Sequence, residues 1–116
     1  MTKVKIYHNP KCGTSRKTLA LLHEAGVVPE VIEYLKTPLN HEDLVSLLCK
    51  LAVSARQLVR VKGNLYKELG LSDVSLTEDA LIDALVDHPV LMERPVVVTA
   101  KGARICRPCE LVQALL

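Results

Sequence analysis

The chain has 116 residues, and its 15 Lys and Arg against 13 Asp and Glu give a formal net charge of +2. We expect one domain over residues 1–116, long enough to bury a core. The small charge, with three Tyr and no Phe or Trp, argues against a nucleic-acid partner. The apolar runs are too short for a membrane span or a secretion signal. We therefore expect a cytoplasmic protein whose four cysteines are free thiols.

The start of the chain predicts a βαβ unit. Residues Lys3–Tyr7 alternate between polar and apolar and predict a strand. An amphipathic helix follows over Thr14–Ala25, with Gly26 as the residue that ends it. A second strand is predicted over Val31–Leu35. Because the connections are short, the two strands should be parallel and joined by a right-handed crossover.

The middle of the chain is predicted to be helical. Four segments with helix-start or turn patterns begin at Asn40, Ser54, Tyr66 and Thr77. The first should end near Lys50 and bury Cys49, and the second should carry both Arg56 and Arg60. The last should stop before His88, which precedes a proline.

The end of the chain predicts a β-hairpin and a closing helix. The β-branched run Pro95–Thr99 is typical of a buried strand, and Ala103–Cys106 is the returning strand. We expect Lys101-Gly102 to form the turn between them. Pro108 suits the first position of a final helix, Glu110–Leu116.

In this order the elements predict an α/β protein with a thioredoxin-like fold and a helical insertion between its βαβ and ββα halves. In that fold the first strand–helix loop faces the loop before the third strand. Cys12 should therefore lie near Arg94 and Pro95. A cis-proline usually occupies this place in thioredoxin-like folds, so we predict a cis bond between Arg94 and Pro95.

The loop between the first strand and the first helix carries the candidate nucleophile, Cys12. Unpaired N–H groups and the dipole at a helix start favour a thiolate and bind anions. His8 lies just before the loop and should add positive charge. Position 15 is Ser15 rather than cysteine, so no resolving thiol follows three residues on. The alternative is an ordinary buried cysteine at a strand–helix junction.

Four separated blocks of the sequence resemble the glutaredoxin-linked arsenate reductase family over essentially the whole chain. The blocks are Ile6–Arg16, Arg60, Glu93–Val98 and Arg104–Pro108. The resemblance implies that a member reduces arsenate to arsenite, which is then released for export. Glutathione serves as a co-substrate, so no bound cofactor is implied, and glutaredoxin is the protein partner.

The same resemblance implies roles for individual residues. Cys12 attacks arsenate and forms an arseno-thioester, while His8 and Ser15 stabilise its thiolate. The arginines Arg60, Arg94 and Arg107 hold the oxyanion. Glutathione then attacks, and glutaredoxin resolves the mixed disulfide. Arginine suits this task because its planar guanidinium binds oxyanions in a bidentate manner.

Some features leave alternatives open. Arg56 and Arg104 are expected to be solvated surface charges. Cys106 and Cys109 form a Cys-x-x-Cys pair that is inert, redox-active or half of a zinc site; no second pair of ligands is evident, so we expect no metal. Spx-type transcriptional regulators share this fold family, but they typically carry a second cysteine where this chain has Ser15. A glutathione-linked oxidoreductase acting on another substrate is a further alternative.

Overall fold

The structure, a computed structural model, describes residues 4–116. Its strands are β1 Lys5–Tyr7, β2 Glu30–Ile32, β3 Val96–Thr99 and β4 Gly102–Ile105. Its α-helices are α1 Gly13–Glu24, α2 His41–Leu51, α3 Ala55–Leu58, α4 Asn64–Glu68 and α5 Glu78–Asp87. Two 3-10 helices span Pro89–Leu91 and Cys109–Leu115. Within residues 4–116, no helix has both the length and the apolarity needed to cross a bilayer.

The elements divide between two compact units. The sheet unit comprises the chain as far as Thr37 together with Arg94–Leu116, and the helical unit comprises Pro38–Glu93. The sequence of the sheet unit has ten Lys and Arg against four Asp and Glu, whereas that of the helical unit has five against nine. The small net charge of the chain therefore combines a basic unit with an acidic one.

The sheet unit contains four strands in the order β2-β1-β3-β4. Strands β1 and β2 are parallel, as predicted for the βαβ unit, and β3 is antiparallel to both β1 and β4. Tyr7 pairs with Val96, and Val96 pairs with Ile105. This register places the end of β1, the start of β3 and the end of β4 side by side, and the functional loops continue from these three points.

The core of the sheet unit fixes that register. It is formed by side chains from β1, α1, β3 and the C-terminal segment: Ile6, Leu22, Val97, Cys106, Val112 and Leu115. Complete burial of such aliphatic side chains contributes about 1.5–3 kcal/mol each. A one-residue slip of β1 or β3 would move Ile6 or Val97 to the opposite face of the sheet. The core therefore holds the three strand ends in one arrangement.

The ends of the helices follow the sequence closely. Helix α1 ends in a Schellman motif, in which Gly26, with φ +79°, donates to the His23 carbonyl, and Val27 donates to the Leu22 carbonyl. At the start of α2, the Asn40 side chain accepts from the Asp43 N–H at 2.8 Å. Helix α5 begins at the predicted Thr77 cap, which accepts from the Ala80 N–H at 3.1 Å.

In the first half of the chain, the predicted end of the second strand is wrong. Strand β2 ends at Ile32 rather than Leu35, because the carbonyl of Glu33 accepts from Lys36 and Thr37 in a turn. Strand β1 begins at Lys5; the predicted start, Lys3, lies outside the described residues.

Two predictions for the helical unit also need correction. Arg60 lies beyond α3, because the chain becomes extended at Val59 and forms an antiparallel bridge with Met92. Cys49 is exposed rather than part of the core. The buried positions of α2 are leucines that lie on the opposite face of the helix: Leu44, Leu47, Leu48 and Leu51.

The hairpin and the last helix differ in detail. Thr99 pairs with Gly102, so the turn is Ala100-Lys101 rather than Lys101-Gly102. The Thr99 hydroxyl accepts from the Lys101 N–H at 3.1 Å and holds this turn. The closing helix begins at Cys109 and is 3-10 in type, with the Leu111 N–H donating to the Pro108 carbonyl.

Candidate active site

Cys12 occupies the N-cap of α1, as predicted. Its backbone is extended, with φ −91° and ψ 122°. Its N–H donates to the Asn9 carbonyl at 3.0 Å, and its carbonyl accepts from the Arg16 N–H at 3.0 Å. The residue is partly exposed. The partly exposed residue therefore lies at the positive end of the helix dipole.

Two arginines from distant parts of the chain meet at the Cys12 sulfur. Arg107 donates from Nη1 to Sγ at 3.5 Å and from the same nitrogen to the Arg94 carbonyl at 3.1 Å. The Arg94 side chain also donates to the sulfur. The structure thus brings together two of the three arginines that the resemblance assigns to the oxyanion.

The pKa of the Cys12 thiol is lowered from 9.0 to about 7. Burial is the largest single influence and by itself raises the pKa. It is outweighed by hydrogen bonds to the sulfur from the Ser15 N–H, the Arg94 and Arg107 side chains and the Thr14 N–H. Cys12 therefore forms a thiolate at neutral pH far more readily than an ordinary cysteine does.

Ser15 supports the thiolate through its backbone and supports the loop through its side chain. The residue is completely buried. Its hydroxyl accepts from the Asn9 N–H at 3.1 Å and is hydrogen-bonded to His8 Nδ1 at 2.6 Å. These contacts fix the first turn of α1, and with it the Ser15 N–H that donates to the sulfur.

The sequence predicts a positive charge on His8, and this prediction is wrong. The ring is buried, and this burial lowers the pKa of His8 below 6.5, against an opposing effect of Glu33 and with a further lowering by Arg16. Near pH 7 the imidazole is therefore neutral. His8 therefore affects Cys12 indirectly, through its hydrogen bond with Ser15. The positive charge at the sulfur comes from Arg94 and Arg107.

Arg60 belongs to the helical unit. Its Nη1 lies 2.9 Å from Oε1 of Glu93 in a partly buried ion pair. Main-chain bonds from the Arg60 N–H to the Leu91 carbonyl and from the Glu93 N–H to the Leu58 carbonyl support this pair. The contribution of Arg60 to oxyanion binding stays a prediction.

Both arginines at the sulfur precede a proline. The Arg94–Pro95 peptide bond is cis, the conformation predicted from the sequence, and Pro95 is buried. The Arg107–Pro108 bond is also cis, which the sequence analysis did not predict. The Pro95 carbonyl accepts from the Cys106 N–H at 2.9 Å, so the segments that carry the two arginines are joined directly.

The remaining cysteines do not share the properties of Cys12. Burial raises the pKa of Cys106 to about 12. Burial, with a smaller effect of Glu110, also raises the pKa of Cys109, in spite of its place at a helix start. Both groups are therefore thiols at neutral pH, which are poor nucleophiles.

Sequence reasoning missed two residues that shape the molecule. Asn9 is buried, and its side chain accepts from the Lys11 N–H at 3.0 Å, which closes the loop before Cys12. The dipeptide Asn9-Pro10 is a turn signal that would have pointed to it. Arg56, expected to be a surface charge, donates to the carbonyls of Leu71 and Asp73 at 2.8 and 2.9 Å.

Comparison with known proteins places this site in a family. The pattern of the ArsC family matches residues 7–115. The chain belongs to the ArsC family. A relative from Escherichia coli (strain K12), named arsenate reductase, is 46% identical over 116 residues, which are 100% of this chain and 82% of the relative.

Two further ArsC relatives match this chain over almost their whole length. The Escherichia coli (strain K12) protein named Uncharacterized protein YfgD is 60% identical over 97% of this chain and 96% of its own. A solved structure described as arsenate reductase from Vibrio cholerae is 48% identical, with a TM-score of 0.95 over 99% of this chain and 98% of that one. The predicted thioredoxin-like fold with its helical insertion is thereby confirmed.

Proposed function

We propose that this protein reduces arsenate to arsenite, with Cys12 as the nucleophile and glutathione and glutaredoxin as the source of electrons. The observation that carries the proposal is the convergence of the Arg94 and Arg107 side chains on the Cys12 sulfur. Relatives named arsenate reductase, matching over 100% and 97% of this chain, support the choice of substrate.

The first step needs both charges at the sulfur. Arsenate is an anion, and a thiolate attacks it only where the repulsion between them is offset. Arg94 and Arg107 supply positive charge and bidentate geometry, and the N–H groups of Thr14 and Ser15 supply further donors. Attack by the sulfur forms an S–As bond and releases one arsenate oxygen as hydroxide or water. The resemblance adds Arg60 as a third guanidinium for this anion.

The second step takes electrons from outside the chain. Glutathione attacks the Cys12 sulfur, an S–S bond forms, and the electron pair of the S–As bond leaves with arsenic as arsenite. A thiol of glutaredoxin then attacks the glutathione sulfur and restores the Cys12 thiolate. The site favours external reductants because position 15 is a hydroxyl, and because Cys106 and Cys109 have raised pKa values.

The test is NADPH oxidation that depends on arsenate, coupled through glutathione, glutaredoxin and glutathione reductase. We expect turnover with the native chain, none with Cys12→Ser, and unchanged turnover with Cys49→Ser, which alters an exposed thiol in the helical unit. Absence of turnover by the folded native chain would overturn the assignment of substrate. Turnover at an unchanged rate when glutaredoxin is left out would overturn the assignment of glutaredoxin as the partner.

A further inference from the structure

The Cys12 sulfur is surrounded by hydrogen-bond donors that can stabilise negative charge. Cys12 is partly exposed, its sulfur receives hydrogen bonds from two arginine side chains and two backbone N–H groups, and position 15 carries a hydroxyl rather than a thiol. We propose that the same thiolate also reduces hydroperoxides, with a low-molecular-weight thiol as the electron donor. This inference rests on the site and not on arsenate being the substrate.

The charge around the sulfur suits this reaction. When a thiolate attacks a peroxide, negative charge moves from sulfur to the departing oxygen, which lies one O–O bond beyond the oxygen under attack. A cation within a few ångströms of the sulfur stabilises that charge as it develops. The Nη1 of Arg107 lies 3.5 Å from Sγ, and the Arg94 side chain donates to the same sulfur. Both cations are thus in place before the oxidant arrives.

The reaction needs a hydroperoxide and two molecules of an external thiol besides Cys12. The Cys12 thiolate attacks one oxygen of ROOH, the O–O bond breaks, and the departing alkoxide takes a proton from water, leaving Cys12 as a sulfenic acid. A thiol then condenses with the sulfenic acid to give a mixed disulfide and water. A second thiol releases the Cys12 thiolate and carries away the disulfide. Each cycle consumes one hydroperoxide and two thiols and yields one alcohol, one water and one disulfide.

Cys106 and Cys109 are poorly suited to reduce the sulfenic acid, so we assign that step to an external thiol. Cys106 is completely buried and Cys109 is nearly so, and burial keeps both in the thiol form. The Ser15 hydroxyl is committed to His8 and Asn9. We therefore expect a sulfenic acid that persists until glutathione is added.

The experiment compares two reactions of the same thiolate. The reduced full-length chain is mixed with hydrogen peroxide in the presence of dimedone, or with iodoacetamide, and the product on Cys12 is followed by mass spectrometry. The ratio of the two second-order rate constants removes the effect of the thiolate fraction. We expect this ratio to be at least about tenfold higher than for free cysteine, because only the peroxide reaction expels an oxyanion. A ratio equal to that of free cysteine would overturn the proposal.

Substitutions then assign the effect to the arginines. Arg107→Lys keeps a charge but loses the guanidinium fork, and we expect it to lower the ratio several-fold. Arg104→Lys, on the exposed part of β4, is the matched control and should leave the ratio unchanged. An unchanged ratio in folded Arg107→Lys would remove the arginine from the mechanism; if that variant does not fold, the native ratio still decides the proposal.

Turnover is measured separately, as NADPH oxidation that depends on hydrogen peroxide in the presence of glutathione and glutathione reductase. We expect repeated cycles with the native chain and none with Cys12→Ser. A sulfenic acid that forms rapidly but is not reduced by glutathione would overturn the catalytic cycle. No arsenate is present in any of these measurements, so failure of the arsenate reductase assignment would leave their outcome unaffected.

Discussion

Arg107 and Cys12 are 95 positions apart in the chain, yet Nη1 of Arg107 lies 3.5 Å from the Cys12 sulfur. The sheet produces this contact, since Tyr7, Val96 and Ile105 are consecutive partners across three strands. The two residues follow the ends of β1 and β4, and the register of these strands sets the distance between them. The reactivity of Cys12 therefore depends on the integrity of the sheet as well as on its own loop.

Replacing an arginine at the sulfur should raise the pKa of Cys12. Arg107→Lys removes a guanidinium that donates to the sulfur, so we expect the pKa to move from about 7 toward 9.0. Loss of one oxyanion donor typically lowers turnover by about 10²-fold or more. Iodoacetamide labelling as a function of pH measures the first effect, and Arg104→Lys is the control. A labelling midpoint that stays near 7 would show that Arg107 does not stabilise the thiolate.

The lowered pKa of Cys12 should also make stability depend on pH. The thiol has a pKa of about 7 in the folded chain and about 9.0 when unfolded. Between these values the unfolded chain binds more protons, so stability gained from the thiolate rises with pH and is lost as pH falls through 7. We expect the native chain to gain stability over Cys12→Ser between pH 6 and pH 8.5. Urea unfolding of both proteins at pH 6 and at pH 8.5 measures the difference between their free energies of unfolding. This difference should change in favour of the native chain at the higher pH, and a constant difference would contradict the prediction.

Ser15→Ala should destabilise the protein and slow Cys12 alkylation. The substitution leaves His8 Nδ1 and the Asn9 N–H without their buried partner, which costs about 1–3 kcal/mol. Ser46→Ala, at an exposed position of α2, is the matched control and should change stability by less than about 0.5 kcal/mol. Urea unfolding of both variants tests this; equal stabilities would mean that the Ser15 hydroxyl does not hold the loop.

His8 should titrate below the ordinary histidine pKa of 6.5. Burial lowers its pKa below 6.5, so the neutral ring is favoured in the folded chain. The stability from this preference is present at neutral pH and is lost as pH falls below the unfolded value of 6.5. An NMR titration of the imidazole signals, assigned with His8→Gln, gives the midpoint. A titration midpoint above 6.5 would contradict this prediction and would support the positive charge on His8 that the sequence predicted.

Arg56 should matter for stability rather than chemistry. Its guanidinium donates to the carbonyls of Leu71 and Asp73, which a lysine cannot reproduce at both positions. We expect Arg56→Lys to cost about 0.5–1.5 kcal/mol in urea unfolding, the typical net value of a lost hydrogen bond, while alkylation of Cys12 keeps its pH midpoint. A shifted midpoint with unchanged stability would contradict this division of roles.

The sequence predicted those parts of the site that depend on local pattern. The position of Cys12 between a predicted strand and a predicted helix places it at the N-terminus of α1. Gly26 predicts the end of α1, and Thr77 predicts the start of α5. The cis bond at Pro95 followed from the order of the elements. These features depend either on residues that are close together in the sequence or on the order of the strands and helices. Both kinds of information are present in a single sequence.

The features that the sequence analysis missed depend on burial and on distant partners. The charge state of His8 follows from enclosure of its ring, which no local pattern reports. Arg56 looked like a surface cation because its acceptors lie 15 and 17 positions away and are backbone carbonyls, which have no sequence signature. The turn at Ala100-Lys101 was misplaced by one residue because a glycine was assumed to be inside it, whereas Gly102 begins the next strand.

The uneven distribution of charge between the units has a consequence for kinetics. The unit that holds Cys12 carries ten Lys and Arg against four Asp and Glu in its sequence, although the whole chain has a formal charge of only +2. An approaching anion responds to the local field, which extends about 8 Å at physiological ionic strength, rather than to the sum over the chain. Encounter of Cys12 with a small dianion should therefore slow as salt is added, even though the formal charge of the whole chain is small.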